Sequence, residues 1–389
     1  MSNTTALIQP LDEHALRGDP APPAEGLRPQ ATDDLGTSRP SSPVVLRRAI
    51  AEAEDFDQLR EAARGLSTTA VSLHDSKAGP AQTSAIISNL ADSLTRRSIE
   101  LSIRELGPPP CPFSWVALGS HGRQEAVPGS DVDSALAWDS DEEDEDAKSY
   151  TLSLGSRVSE ELARCGLVAD ERGASAGGDL FVRPTNEWRR LIRESISDPE
   201  KDKGLIVLSL FLDGRVLHHG GGASALRDEF EAAAGRRGLL RLMLRLALAN
   251  KPAAGRVRGF APERSGDHRG RLDIKHGGLL PVTSIARYAA LAAGAVDATS
   301  TPQRLGAADA AGTLDGDSVQ SLSNAFELSQ SLRLEHQVDQ VKRGIEPDDF
   351  LDPKALEPAR RRALRDALRE VRAVQNKLAR GLVTGRALA

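Results

Sequence analysis

Apolar residues recur at helical spacing through most of the chain, and the middle departs from that rhythm. Val45, Leu46, Ile50, Phe56, Leu59 and Ala63 make one amphipathic stretch, and Ile86, Ile87, Leu90, Leu94, Ile99 and Ile103 make another, so Val44 to Leu106 reads as helices. Gly107-Pro108-Pro109-Pro110 is a stiff linker into the central part of the chain. There the apolar runs shorten. Trp115-Val116-Ala117-Leu118 and Ala135-Leu136-Ala137-Trp138 flank a Gly-Ser turn, a short polar stretch and a Pro128-Gly129-Ser130 turn, a pattern that predicts strand, turn, short helix, turn, strand. A helix is expected over about Ala147 to Cys165, a strand at Asp179 to Val182, and a helix from about Pro184. The uniformly apolar Leu205 to Leu212 reads as a buried strand ending at Asp213-Gly214-Arg215. Beyond it the helical period returns in Leu239 to Leu248, Phe326 to Lys342 and Pro358 to Leu378. The last of these carries a bundle seam at Leu364, Leu368, Val371, Gln375 and Leu378.

These patterns divide the chain into a tail rich in Pro, Ser, Thr and Gly (1–43, expected to be disordered), an N-terminal helical segment (44–110), a mixed central domain (111–220) and a helical domain (221–389). With 389 residues there is room for two or three real cores, and 3% aromatic content makes those cores aliphatic. The net charge of −6 argues against a general nucleic-acid binder. Cys111 and Cys165 are far apart and form no metal-binding spacing. No apolar run approaches a membrane span and no signal-peptide pattern is present, so a cytoplasmic protein is expected.

The candidate chemistry lies between the two short apolar runs. Asp131 and Asp133 are one residue apart, and in extended backbone such residues point to the same side. Carboxylates that close repel each other unless a cation lies between them, and Mg²⁺ favours one or two carboxylates together with phosphate oxygens. Gly119 and Ser120 form a turn just ahead of a helix start, where backbone N–H groups and a hydroxyl suit a phosphate chain. The plainer reading makes Asp131 a turn cap and Asp133 a solvated residue; the register of Gly-Ser, Arg123, Glu125 and the flanking strands favours the chemical one.

Gly-Ser-x-x-Arg-x-Glu followed by Ser-Asp-x-Asp resembles the nucleotidyltransferase domain of the DNA polymerase beta superfamily, in the branch of the PII-protein uridylyltransferases. Bacterial signal-transduction relatives with a C-terminal substrate-binding domain are similar over most of the chain. The resemblance implies an α+β fold, with a mixed sheet flanked by helices, an N-terminal helical segment and a C-terminal helical bundle. It implies transfer of a nucleoside monophosphate from an NTP to an acceptor hydroxyl, with a protein as the expected acceptor; the acidic balance argues against nucleic acid as partner, and the lack of a long apolar run against a membrane. Asp131 and Asp133 would hold Mg²⁺ in a two-metal arrangement, with Mn²⁺ as a substitute. Gly119, Ser120, Arg123 and Ser130 would bind the nucleotide, Arg123 pairing with Glu125 or with phosphate. The superfamily often adds a third acid on a later strand; Asp213 is the first candidate and Asp179 the second, while pairing of Asp213 with Arg215 is the plain alternative. Asp273-x-Lys275-x-Gly277-Gly278 resembles a further family element, in which Lys275 could reach a phosphate and Asp273 orient it.

Other features divide between chemistry and plain structure. The acidic run Asp139 to Asp146 suits a solvated loop and helix start better than a metal site, and the adjacent His218 and His219 diverge on a strand. Trp188 reads as packing, with base stacking the alternative. Arg333, His336, Gln337 and Gln340 share one helix face, either as a cleft wall or simply exposed. The arginines of the last helix read as a solvated face. A signalling module that binds a nucleotide or partner without catalysis is the competing functional reading.

Overall fold

The computed structural model describes residues 42–169, 174–197, 204–221, 223–234, 236–255, 259–263 and 265–384. The tail expected to be disordered lies, up to residue 41, outside the described residues. The chain enters α1 (Pro43–Glu52) on a proline, which suits the first helical position because its missing N–H has no partner there. It continues as α2 (Phe56–Ala63), α3 (Gly65–Asp75) and the long α4 (Pro80–Leu106). The first amphipathic stretch is therefore two helices. Asp55 breaks it by capping α2, its side chain accepting from Gln58 N at 2.8 Å.

The centre runs β1 (Phe113–Ala117), α5 (Gly119–Gly122), β2 (Ser134–Trp138), α6 (Glu145–Arg164), a 3₁₀ turn at Asp179–Phe181, β3 (Val182–Pro184), α7 (Thr185–Ser197), α8 (Gly204–Leu212) and β4 (Arg215–His218). The strands form one sheet in the order β3-β2-β1-β4. β1 is antiparallel to both β2 and β4, and β2 is parallel to β3, so the sheet is mixed. β1 and β2 are buried at every position, which is why both read as continuous apolar runs. One face carries Phe113, Trp115, Ala117, Leu136 and Trp138 and packs in a cluster with residues of α1, α2, α4 and α6. The other carries the smaller Val116, Ala135 and Ala137 and is filled from α7 by Trp188. Trp188 is fully buried, its indole N–H donating to the Leu136 carbonyl at 3.0 Å, so it is a packing residue.

The strand expected at Leu205 to Leu212 is instead helix α8, and the strand is the next segment, β4. A run that is apolar throughout carries no period, so it cannot distinguish a buried strand from a buried helix. Leu208, Phe211 and Leu212 are buried at helical spacing, and the Asp213-Gly214 turn then delivers β4 to the free edge of β1. The acidic run behaves as a helix start: the Asp144 side chain caps α6 by accepting from Ala147 N at 3.0 Å.

The rest is helical: α9 (Ala223–Ala233), α10 (Arg237–Ala249), α11 (Leu280–Ala292), α12 (Thr301–Ala310), α13 (Gly316–Lys342) and α14 (Pro358–Thr384), with a two-stranded ribbon of β5 (Leu272–Asp273) and β6 (Phe350–Leu351). One hydrophobic cluster extends without a break from Val116 and Ala135 through Trp188 to Leu239, Val282, Leu322 and Val371. The helical part thus packs directly on one face of the sheet. No helix among the described residues is long and apolar enough to cross a membrane.

Trp188 bridges the sheet to the helical core. Trp188→Ala is expected to lower stability by about 3–5 kcal/mol, read as a fall in the urea midpoint with an unchanged slope.

Candidate active site

Leu118 to Asp133 forms one folded loop between β1 and β2. Gly119 turns the chain at φ +55°, and α5 closes after a single turn. Gln124, at φ +59°, reverses it again, a conformation that non-glycine residues adopt at some cost. The loop returns through Pro128-Gly129-Ser130, where the Ser130 hydroxyl accepts from Val127 N at 2.9 Å and closes the turn. Ser130 is buried, so its first role is to fold the turn that presents Asp131.

Asp131 and Asp133 lie in the connection just ahead of β2 rather than within the strand. Val132 between them is buried while both carboxylates are half-exposed, the alternation expected of two side chains on one side. Val132 N donates to the Val168 carbonyl at 3.0 Å and Ser134 N to the Ala174 carbonyl at 2.9 Å, fixing the segment from behind. Asp133 reaches back over the turn: a Cβ added to Gly119 would collide with its Oδ2. Only glycine satisfies both the positive φ and that approach. Ser120 is half-buried beside it.

Lys275 comes from 144 residues further along and places Nζ 2.8 Å from Asp131 Oδ2. Its support is rigid. Asp273 accepts from His276 N at 2.8 Å and contacts His276 Nδ1 at 2.8 Å, bracing the single π turn Lys275–Leu279. Gly277 and Gly278 in that turn lie against Ala253 and Ile274, with no room for a Cβ. The pKa of Asp273 is lowered, because the contacts with His276 outweigh its burial. Asp273 therefore orients Lys275 through the turn and not by touching the lysine.

Arg123 and Glu125 turn away from the carboxylate pair. Arg123 donates to Glu125 Oε2 at 2.6 Å and to Asp213 Oδ2 at 2.5 Å. Glu125 Oε1 accepts from Thr301 N, the first residue of α12, at 2.5 Å, and the Glu125 carbonyl accepts from Gln330 of α13 at 2.9 Å. Burial opposes the charge of Arg123, but Asp213 and Glu125 outweigh it and hold its pKa above the usual range. Arg123 pairs with Glu125, as expected, and Asp213 is an unexpected second partner.

Asp213, the first candidate for a third metal-binding acid, is enclosed by arginines in this structure. It is 1% exposed. Oδ1 accepts from Arg287 at 3.1 Å and Arg304 at 2.6 Å, and Oδ2 accepts from Arg123 at 2.5 Å and Arg287 at 2.7 Å. Those four bonds use the acceptor capacity of a carboxylate. Burial alone would raise the Asp213 pKa, yet the three guanidiniums drive it far below the usual carboxylate range. Arg215 does not pair with it. Arg215 instead binds buried Asp92 at 2.7 and 3.0 Å and the His121 carbonyl at 2.9 Å, clamping the end of α5. Asp179, the second candidate, is exposed at the start of its 3₁₀ turn.

The helix face of Arg333, His336, Gln337 and Gln340 is neither a cleft wall nor solvated. Arg333, Gln337 and Gln340 are buried. Gln337 accepts from Gly129 N at 2.9 Å and donates to Asp349 Oδ1 at 2.8 Å, while Arg333 grips both oxygens of Asp349. The Asp349 carbonyl in turn accepts from Ile274 N at 2.9 Å, the residue before Lys275. This relay ties the turn carrying Asp131 to the turn carrying Lys275. Asp349, Arg287 and Arg304 are supports that the sequence pattern does not single out, and Gln337, singled out as part of a helix face, is a brace. Arg287 offered one signal: a lone guanidinium within the apolar Leu280–Ala292 demands a buried anion.

The donor set fits a divalent cation. Two half-exposed carboxylates flank buried Val132, Asp133 stands over the glycine turn, and the Lys275 ammonium stands against Asp131. Gly119, Ser120, Asp131, Asp133 and Lys275 are thus brought together, while Arg123 and Asp213 belong to the buried cluster beneath.

Residues 64–202 match the family described as "Putative nucleotidyltransferase DUF294", and residues 237–382 match "Putative nucleotidyltransferase substrate binding domain". Together these matches support membership of a nucleotidyltransferase family. A search among curated proteins found no match.

Asp213→Asn leaves three buried guanidiniums without their shared counter-charge and is expected to cost about 3–5 kcal/mol, measured by chemical denaturation. His121, buried in α5, has its pKa lowered to about 4 from 6.5, first by burial. Between those values the unfolded chain binds a proton that the native ring refuses, so stability rises with pH. His121 should therefore remove about 3 kcal/mol as pH falls across that window. His121→Gln should flatten the slope, seen by comparing urea midpoints of the two proteins at about pH 7 and about pH 4.5.

Proposed function

We propose that this chain is a Mg²⁺-dependent nucleotidyltransferase of the PII-uridylyltransferase-like type, moving a nucleoside monophosphate from an NTP to a hydroxyl on a protein acceptor in signalling. One observation carries the proposal: Asp133 stands over the Gly119 turn, and Lys275 reaches from the helical part to within 2.8 Å of Asp131, two residues before it. In this reading the 111–220 segment holds the reacting groups, the 221–389 segment supplies Lys275, and the helices of 44–110 back the sheet.

Asp131 and Asp133 would hold the cation, which when bound supplies Lewis-acid charge at the reacting phosphate. The Gly119 and Ser120 turn approaches the triphosphate closely because glycine leaves the backbone uncovered. Lys275 neutralises the phosphate charge that grows as the acceptor hydroxyl attacks the α-phosphorus in line. The new bond from the acceptor oxygen to the α-phosphorus forms as the bond to the bridging oxygen breaks, pyrophosphate leaves, and the hydroxyl proton passes to solvent. Arg123, Glu125 and Asp213 touch no reacting atom; they hold the loop.

A specific observation favours the competing reading of a binding module. With Asp213 sequestered, the described residues contain no cluster of three His, Cys, Asp or Glu side chains fit for a metal. A two-metal site would then draw its remaining ligands from phosphate and water.

Pyrophosphate release and thermal stabilisation by each NTP with Mg²⁺ separate the two. Transfer predicts release with one preferred NTP and its loss, by about a thousandfold or more, in a folded Asp131→Asn protein. Full activity in that variant overturns the reading. Mg²⁺-dependent NTP binding without release, across candidate protein acceptors, supports the module.

A further inference from the structure

The cation site already holds a positive charge that belongs to the protein. Lys275 Nζ stands 2.8 Å from Asp131 Oδ2, on the carboxylate that would bind a divalent ion. The pair is partly open to solvent, with 36% of the lysine and 43% of the aspartate side chain exposed. An ion pair in that setting is weak, and therefore displaceable. Its base is not: the π turn is braced by Asp273, packed through Gly277 and Gly278, and tied through Ile274, Asp349 and Gln337 to the Gly129 turn beside Asp131. What can move is the four-carbon stem of the lysine, which carries a point charge without directional preference.

We propose that Lys275 is an internal latch on the cation site. In the free protein it satisfies Asp131 and disfavours a bare divalent ion. A triphosphate, with its higher negative charge, draws the ammonium off the carboxylate. Asp131 is thereby released for the cation that the nucleotide carries, so metal and nucleotide are taken up as one unit. The latch rests on the reading of Asp131 and Asp133 as a cation site and adds the order of binding to it. Because the lysine and the aspartate come from segments 144 residues apart, the latch also makes cation uptake depend on docking of the helical part.

The test is Mn²⁺ binding to the full chain without nucleotide, followed by the EPR signal of free Mn²⁺, in the wild type and in Lys275→Met, Lys275→Arg and Asp131→Asn. The latch predicts that Lys275→Met binds bare Mn²⁺ about three- to fivefold more tightly, while binding an NTP about tenfold more weakly. Lys275→Arg, which keeps the charge, should stay near the wild-type Mn²⁺ affinity. If Lys275→Met gains no Mn²⁺ affinity although Asp131→Asn loses it, the latch is overturned and the cation site stands. If all four proteins bind Mn²⁺ alike, the carboxylate pair is not a cation site and both proposals fall.

Discussion

The Asp213 carboxylate, with three guanidiniums converging on its four acceptor positions, is the interaction on which the rest of this structure depends. Each arginine comes from a different element: Arg123 from the loop after α5, Arg287 from α11 and Arg304 from α12. Burying such groups costs several kcal/mol per ion unless each is matched in charge and geometry. Here Arg304 also donates to the Leu212 carbonyl at 2.7 Å and the Ala298 carbonyl at 2.9 Å, and Arg123 shares Glu125. The arrangement is satisfied only when sheet and helices meet in one relation, so it acts as a registry device between them.

That registry sets the geometry of the exposed site. The face of the loop that bears Arg123 and Glu125 is pulled inward to the cluster and to the N-terminus of α12. Its other end presents Asp131 and Asp133 outward. A second set of bonds, from Gly129 through Gln337 and Asp349 to Ile274, fixes where Lys275 emerges. The carboxylate pair and the lysine meet because two independent braces position their supports, and only the final side-chain contact is left weak.

The motif residues accordingly divide into two kinds. Asp131 and Asp133 are half-exposed, beside Gly119 and Lys275, and in the proposed reading these four face the metal and triphosphate. Arg123, Glu125, Asp213, Arg215 and Asp273 shape the backbone that carries them. Both kinds include charged residues close to glycines in the sequence, and nothing local separates an exposed carboxylate from one that an arginine buries. The distinction is one of burial: Asp213 is enclosed and Asp131 is open.

The sequence by itself determined the local elements whose pattern carries a period or a cap, and the candidate carboxylate pair. Helical spacing and turn residues act between near neighbours, so α4, α6, α10 and α13 were legible from their period, β1 and β2 from short apolar runs bounded by turn residues, and so were the Gly119 turn and the Asp131–Asp133 pair. Tertiary structure decided what depends on distant partners. Leu205 to Leu212 became a helix because a uniformly apolar run has no preferred period and β4 took the sheet edge. Asp213 became an anchor because Arg287 and Arg304, more than 70 residues away, reach it through the core. The face of Arg333, Gln337 and Gln340 became a brace because the Asp348-Asp349 segment folded onto it. A buried charge takes its role from whichever partner the fold delivers, and chain distance carries no record of that delivery.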